Sequence, residues 1–244
     1  MQKSALAVAL FVFAVCTPRL QAQEAREDLS LAKLTKYYIA VLSKGPSWSE
    51  EKLKANMEKN REHIRKLVLD GKLVGAATSA GDGNVRSLFF FKTSKQEEVE
   101  GILKNAPSVK EGILGGSVHE VWGTRGLGMD VREKMKEDPE RQLAREKHYL
   151  VVYSKGSEWS EKTNEETRGK LAESFQSINR LWKSGTLRFF AAVADTKQDV
   201  RALGIFASSS PDEAMTVASD DPGVKDGWFT VKVFPVAIAE GVLP

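Results

Sequence analysis

Three histidines carry most of the side-chain chemistry that this 244-residue sequence offers near neutral pH: His63, His119 and His148. An imidazole can accept or donate a proton near pH 7, so each is a candidate general acid or base. No two of them show a metal-ligand spacing such as His-x-x-x-His, which argues against a structural zinc site. The sequence predicts neither a metal nor a cofactor.

The single cysteine, Cys16, lies in an N-terminal segment with the layout of a secretory signal peptide. Lys3 supplies positive charge, residues 5–15 form an apolar core too short to span a membrane, and Ala22 is a small residue suited to cleavage. We therefore predict that residues 1–22 are removed and that the protein is exported, soluble, to the periplasm or the extracellular space. Lipoprotein anchoring at Cys16 is the alternative.

Removal of that segment changes the remaining chemistry. It leaves no cysteine, and hence no disulfide, catalytic thiol or cysteine metal ligand. It lowers the formal net charge from +3 to +1, because Lys3 and Arg19 are lost with no acidic residue. A nearly neutral chain argues against a nucleic-acid partner, which would need clustered lysine and arginine.

An eight-residue motif that occurs twice shows that the rest of the chain consists of two repeats. Residues 43–50 (SKGPSWSE) return as residues 154–161 (SKGSEWSE), 111 positions later. Each copy follows an apolar run and precedes a long helical pattern. The surrounding patterns predict the element order βαββαβ twice, which divides the chain into a leader (23–35), a first repeat (36–122), a charged helical linker (123–147) and a second repeat (148–244).

Apolar periodicity and turn residues set the bounds of the predicted elements. The first repeat has predicted strands at residues 36–42, 72–78, 85–92 and 113–122, and helices at 50–69 and 94–103. The second has predicted strands at 148–153, 186–193, 200–207 and 228–238, and helices at 160–183 and 211–218. In the linker, Asp138-Pro139 predicts the start of a second short helix, and the scarcity of apolar residues predicts a solvated spacer.

This order predicts an α+β fold. A βαββαβ unit forms an antiparallel sheet with both helices on one face, the ferredoxin-like arrangement. Residues 37–42 are apolar on both faces of the first strand, so something must cover the second face of the sheet. We predict that two tandem ferredoxin-like repeats close face to face as an intramolecular pseudo-dimeric α+β barrel. A cavity between the sheets would suit a small molecule.

Short motifs follow one another in a fixed order. They are Gly45-Pro46 and Trp48 after the first strand, His63 and Leu67 on the helix, Gly71-x-Leu73 before Gly75-Ala76, a hairpin, a short Glu-rich helix, and Asp221-Pro222-x-Val224-x-x-Gly227. This order resembles the YCII-related (YciI-like) domain family, whose members are small dimeric α+β barrel proteins. The resemblance covers residues 36–122 and 148–237.

The resemblance implies a catalytic pair, because the helix histidine and the aspartate of the Asp-Pro turn are the suspected catalytic residues of that family. Each repeat of this chain keeps only one member. The first repeat has His63 but Ala106 in its turn, whereas the second has Asp221 but Ser177 on its helix. A carboxylate would fix the tautomer of the imidazole and stabilise its charged form, and neither Ala106 nor Ser177 supplies the missing group.

Two interpretations stay open. In the first, His63 uses a carboxylate from elsewhere, either Asp82 in its own hairpin turn or Asp221 of the second repeat. His63, Asp221 and Asp82 are then the candidate catalytic residues. In the second, both sites have lost their chemistry, and His63 is a half-exposed helix residue.

The remaining candidates favour packing. His119 aligns with Phe234, and a position that accepts phenylalanine favours packing over chemistry. His148 opens a strand at a junction and is predicted to lie at the surface. Trp48 and Trp159 could line the mouth of the cavity, but the prediction favours a hydrophobic staple or a rim contact.

The primary functional prediction is an exported protein that binds a small cyclic or acidic molecule between the sheets without converting it. The alternative is an enzyme with His63 as general acid or base, in an elimination, isomerisation or hydrolysis. A structural or partner-binding role is the third hypothesis. The expected partner is a small molecule, with no nucleic acid and no membrane after cleavage, and further oligomerisation stays open.

Overall fold

The computed structural model describes residues 26–30, 33–81, 83–162 and 164–244. The strands are β1 (Thr35–Lys44), β2 (Leu73–Ser79), β3 (Val85–Phe91), β4 (Leu114–Gly123), β5 (Arg145–Lys155), β6 (Leu187–Val193), β7 (Val200–Phe206) and β8 (Phe229–Ala239). The helices are α1 (Glu50–Ala55), α2 (Met57–Leu69), α3 (Gln96–Asn105), α4 (Pro107–Lys110), α5 (Met129–Glu137), α6 (Glu165–Lys183), α7 (Pro211–Ser219) and α8 (Pro222–Lys225). The predicted signal peptide lies outside the described residues.

The eight strands form one closed antiparallel barrel in the order β1-β3-β2-β8-β5-β7-β6-β4. The helices pack on its outside. The first four strands are contiguous around the barrel, as are the last four, so each half of the chain builds half of the wall. This confirms the predicted α+β barrel.

The two halves meet at two seams. At one seam β2 pairs with β8, residues 77–79 with residues 236–238. At the other β4 pairs with β6, residues 121–123 with residues 191–193. The prediction described the two sheets as packed face to face and did not include hydrogen bonds between them. In the structure, strands of the two sheets also pair directly. The reason is geometric: a twisted, tilted sheet can close into a barrel when its outer strands find partners.

The first strand shows why the chain closes in this way. Residues 37–40 and Leu42 of β1 are all buried, as expected of a strand that is apolar on both faces. Ile39 and Val41 line the interior of the barrel, whereas Leu42 lines a cavity on the helix side. Tyr37 packs its ring edge-on against Phe189 of the other half, with ring centroids 6.1 Å apart. Each half thus buries the inner face of the other.

The long helix of each half begins differently. Ser49 caps α1 as predicted, since its Oγ accepts a hydrogen bond from the Lys52 amide at 3.0 Å. That helix is then divided from α2 at Asn56, whose Nδ2 donates to Glu111 Oε2 at 2.6 Å. The predicted start at residue 160 in the second half is wrong. Helix α6 begins after Asn164, where Asn164 and Thr167 form a reciprocal capping box that satisfies two free amides.

The charged linker departs most from its prediction. It contains α5 but no helix after Asp138-Pro139 in the described residues, because β5 already begins at Arg145, opposite Ala239 of β8. Val131 and Met135 of α5 are buried in the larger core cluster, to which both halves contribute. The linker is therefore packed onto the barrel wall rather than being a solvated spacer.

Among the helices described here, none combines the length and the apolar character that crossing a membrane requires. In the same ranges, His, Cys, Asp and Glu side chains nowhere gather in threes or more to hold a metal ion.

Candidate functional site

The first candidate site is a cavity of about 410 Å³ inside the barrel, called the barrel cavity here. Strands of both halves supply its largely apolar wall, including Ile39, Val41, Leu88, Leu150, Val152 and Leu203. Its few polar side chains are Ser79, Asn84, His119 and Gln198. A concave apolar cavity of this size with a few polar groups is the usual form of a small-molecule site.

His119 is one of those polar groups. It is half-buried on β4, and its Nε2 lies 2.9 Å from Ser117 Oγ. Its counterpart Phe234 lines the same cavity and is 44% exposed. The alignment with Phe234 favoured packing, but both residues line this cavity. The sequence did contain a signal for the position of His119 in the cavity. His119 and Val121 lie two residues apart on one strand and so on the same face, and Val121 also lines the cavity.

His63 lies in a second cavity, of about 300 Å³, on the helix side of the barrel wall, lined by α2, α5 and strands that include β2 and β8. We call it the His63 cavity; Ala106 and Asn60 line it as well. The Nε2 atom of His63 is buried and has no hydrogen-bond partner. Burial lowers the pKa of His63 below its ordinary value of 6.5, because the charged imidazolium loses solvation. The ring is therefore held in the neutral, basic form at neutral pH.

Asp221 lies in a third cavity, of about 310 Å³, on the outer face of the second-half sheet. We call it the Asp221 cavity. Asp221 is the N-cap of α8 and is only 2% exposed. Its Oδ1 accepts hydrogen bonds from Ser174 Oγ at 2.7 Å and from the Gly223 amide at 2.9 Å, whereas its Oδ2 is buried without a hydrogen bond.

Burial raises the pKa of Asp221 above its ordinary value, because desolvation outweighs the hydrogen bonds from Ser174 and Gly223 that favour the carboxylate. Tyr153 lines the same cavity, and its hydroxyl is also buried without a partner. Burial, with a smaller contribution from the nearby Asp221 charge, raises the pKa of Tyr153. The cavity thus holds two polar groups whose hydrogen-bonding capacity is unused.

The structure does not bring His63 and Asp221 together. They line different cavities, which share no lining residue. Within each half, however, the aligned positions are neighbours: Ala106 lines the His63 cavity, and Ser177 is close enough to Asp221 for its hydroxyl to lower the carboxyl pKa slightly. Each half therefore holds one member of the pair that the resemblance implies. Asp82 lies outside the described residues.

The prediction for His148 was wrong. His148 is 7% exposed, and its Nε2 lies 3.3 Å from Glu146 Oε2. Because β5 begins at Arg145, His148 does not open the strand but lies inside it, paired with Val236 of β8.

The two repeated tryptophans differ in role. Trp159 lines the Asp221 cavity, where it packs against Phe229 with ring centroids 5.6 Å apart. Trp48 packs against the first core cluster, and the Arg86 guanidinium lies 5.2 Å from its ring centroid. Neither tryptophan lines the predicted cavity between the sheets: Trp159 lines the Asp221 cavity instead, and Trp48 makes a packing contact.

No protein-family model matches the sequence, and a comparison with the curated proteins finds no match. Among solved structures, the chain is similar to chlorite dismutase from Candidatus Nitrospira defluvii. A cyanide complex of one variant gives a TM-score of 0.54 at 11% identity over 84% of this chain and 91% of that one. The imidazole complex gives 0.52 at 12% identity over the same shares. The likeness is one of fold. It supports the α+β barrel, leaves YCII-related membership a prediction, and transfers no activity.

Proposed function

We propose that this chain is an exported protein that binds a small, largely apolar molecule inside its barrel. The barrel cavity is the observation that carries this proposal. Its volume of about 410 Å³ lies within the range of small-molecule sites, and its wall is built from both halves of the chain. Removing an apolar ligand from water would provide most of the binding free energy. His119 and Gln198 would orient a polar substituent.

A finer assignment accompanies this proposal. The element order βαββαβ recurs in the two halves, as does the same sequence phrase before the long helix. We interpret the halves as tandem ferredoxin-like copies of YCII-related type. In this interpretation the barrel cavity formed where two ancestral subunits met.

The test uses N-phenyl-1-naphthylamine, an uncharged apolar dye whose fluorescence rises in apolar surroundings. The wild-type protein should bind it saturably at one site. Val152→Phe places a larger side chain on the cavity wall and should weaken binding at least about tenfold. The matched control is Thr216→Phe, which adds the same ring on the exposed face of α7 and should bind as wild type does. Equal affinity in Val152→Phe and wild type, or no saturable binding, would refute the proposal.

One observation favours the enzyme as a second candidate. The Nε2 atom of His63 is buried, unpaired and lines a cavity, and the lowered pKa of His63 keeps it able to accept a proton. A hydrolytic role predicts that p-nitrophenyl acetate is cleaved faster than in buffer and that His63→Ala removes this excess while the circular dichroism spectrum is kept. An unchanged rate in His63→Ala excludes His63 as the base in that reaction.

A further inference from the structure

The Asp221 cavity carries features of a built site that the barrel cavity lacks. One of its lining residues, Asp221, is 2% exposed, and its Oδ1 accepts two hydrogen bonds whereas its Oδ2 accepts none. Tyr153, another lining residue, is 3% exposed, and its hydroxyl likewise lacks a partner. A buried polar atom without a partner loses the hydrogen bonds of water and gains none in return. Two such atoms in one cavity point to a ligand that supplies donors.

The charge of Asp221 is also uncompensated. Among the described residues that line the cavity, the only cation is Arg201. Its guanidinium stacks 5.4 Å from the Trp159 ring centroid and donates to the Asp195 carbonyl at 3.0 Å, so it is engaged at the rim. A buried carboxylate without a cationic partner is unfavourable, and a bound cation would relieve that cost.

The remaining walls are apolar and rich in aromatic rings. Trp159, Phe175 and Phe229 line the cavity together with Leu171 and Ile178. Aromatic faces attract cations and accommodate flat apolar groups. The ligand chemistry that matches this combination is a positive N–H donor attached to an apolar or aromatic body.

We propose that the Asp221 cavity is a separate binding site for a small organic amine. Its ammonium group donates hydrogen bonds to Asp221 Oδ2 and to the Tyr153 hydroxyl oxygen, while its apolar body packs against Trp159 and the phenylalanines. Ser174 and the Gly223 amide hold the carboxylate in place through Oδ1. This site is independent of the ligand proposed for the barrel cavity.

The equivalent position in the first half provides an internal comparison. The His63 cavity has Leu42 where the Asp221 cavity has Tyr153, and Ala106 where it has Asp221. It therefore lacks both polar groups of the proposed site. The structure assigns amine binding to the second half alone, so a single site per chain is expected.

Calorimetry with 2-phenylethylamine tests the proposal, with 2-phenylethanol as the uncharged comparison. Wild-type protein should bind one amine per chain and bind the alcohol at least about tenfold more weakly. Asp221→Asn keeps an acceptor for Ser174 and Gly223 but removes the charge, and it should weaken amine binding at least about tenfold. Tyr153→Phe should weaken it about threefold, since one hydrogen bond is lost.

The matched control is Asp220→Asn, which removes a carboxylate from the neighbouring, 69% exposed side chain and should leave amine binding unchanged. Val152→Phe, which alters the barrel cavity, should also leave it unchanged. Equal affinity of the amine and the alcohol for wild-type protein would overturn the proposal without any variant. Full amine affinity in a folded Asp221→Asn or Tyr153→Phe protein would overturn it too.

Discussion

Ala106 and Asp221 occupy equivalent turns with nearly the same backbone. The torsion angles are φ −65° and ψ 132° at Ala106, and φ −61° and ψ 130° at Asp221. Each precedes a proline that begins a four-residue helix. The backbone at Ala106 is therefore compatible with an aspartate, and at this position the two turns differ in the side chain. This makes the first half a place where the missing carboxylate can be restored.

We expect Ala106→Asp to raise the pKa of His63, which burial now holds below 6.5. Both residues line the His63 cavity, and an opposite charge within about 4–6 Å favours the imidazolium. An NMR titration of the imidazole measures the shift. Ala106→Asn is the control, since it has the same shape without charge and should leave the pKa low. A His63 pKa that stays low in Ala106→Asp would show that the two positions do not interact.

Asp221 should make the stability of the protein depend on pH in an unusual direction. The pKa of Asp221 is raised in the folded state, so the folded protein binds the proton more tightly than the unfolded chain does. The cost of its buried charge is fully present above the folded-state pKa and disappears as pH falls toward the ordinary value of 3.8. Ser174, Ser177 and Tyr153 face this carboxyl group.

Urea unfolding at several pH values measures this effect. The free energy of unfolding of wild type, relative to Asp221→Asn, should increase as pH falls from 7 to 4. Asp220→Asn, which leaves Asp221 in place, should show the same increase relative to Asp221→Asn. A wild-type advantage over Asp221→Asn that shrinks with acidification would contradict the assignment of a raised pKa.

The resemblance to the YCII-related family implied which positions are neighbours within each half, but not which cavity they face. The spacing of the repeats makes His63 equivalent to Ser177, and Ala106 equivalent to Asp221. In the structure His63 and Ala106 line one cavity in the first half, and Ser177 lies near Asp221 in the second. The hydrogen bond from Ser174 to Asp221 depends on how α6 packs against α8, for which no local pattern exists. The separation of His63 from Asp221 follows from barrel closure, which brings together residues far apart in the chain.

The packing of helix α5 could likewise not be predicted from local sequence. Its sequence is strongly charged, and local composition predicted a spacer. Only two side chains, Val131 and Met135, are buried, yet they fall one turn apart on a single face. Arg132 fixes the helix further by donating to the Leu69 carbonyl at 3.3 Å. Strands were easier to predict, because long apolar runs between turn residues depend little on tertiary context.

We expect Met135→Ala to lower the free energy of unfolding by about 2 kcal/mol, since it removes a buried side chain from the core cluster. Lys136→Ala, at the exposed neighbouring position of the same helix, should change it by less than about 0.5 kcal/mol. Urea unfolding of the two variants measures the difference. Equal stabilities would mean that α5 contributes nothing to the packed barrel.

The pairs of neighbouring strands in the barrel differ in the length of their hydrogen-bonded ladders. Each seam between the halves is three residue pairs long, whereas β1 pairs with β4 over ten and β5 pairs with β8 over eleven. Short ladders open at a lower free-energy cost than long ones. Backbone amides that donate across a seam, such as those of Ala80 to Pro235 and of Ala194 to Glu120, should therefore exchange with deuterium faster than those of residues 149–152. Uniform protection would show that the barrel opens only by global unfolding.

Barrel closure also restricts how copies of this chain can associate. Every described strand has a neighbour on both sides, so no strand edge is open along its whole length for another chain to extend. Side-by-side sheet extension, the usual route to aggregation in open sheets, is blocked while the seams stay shut. Any further oligomer of the intact barrel must form through the helical exterior or the loops. Opening one seam would instead free two strand edges at once, β2 with β8 or β4 with β6, and self-association would then begin there.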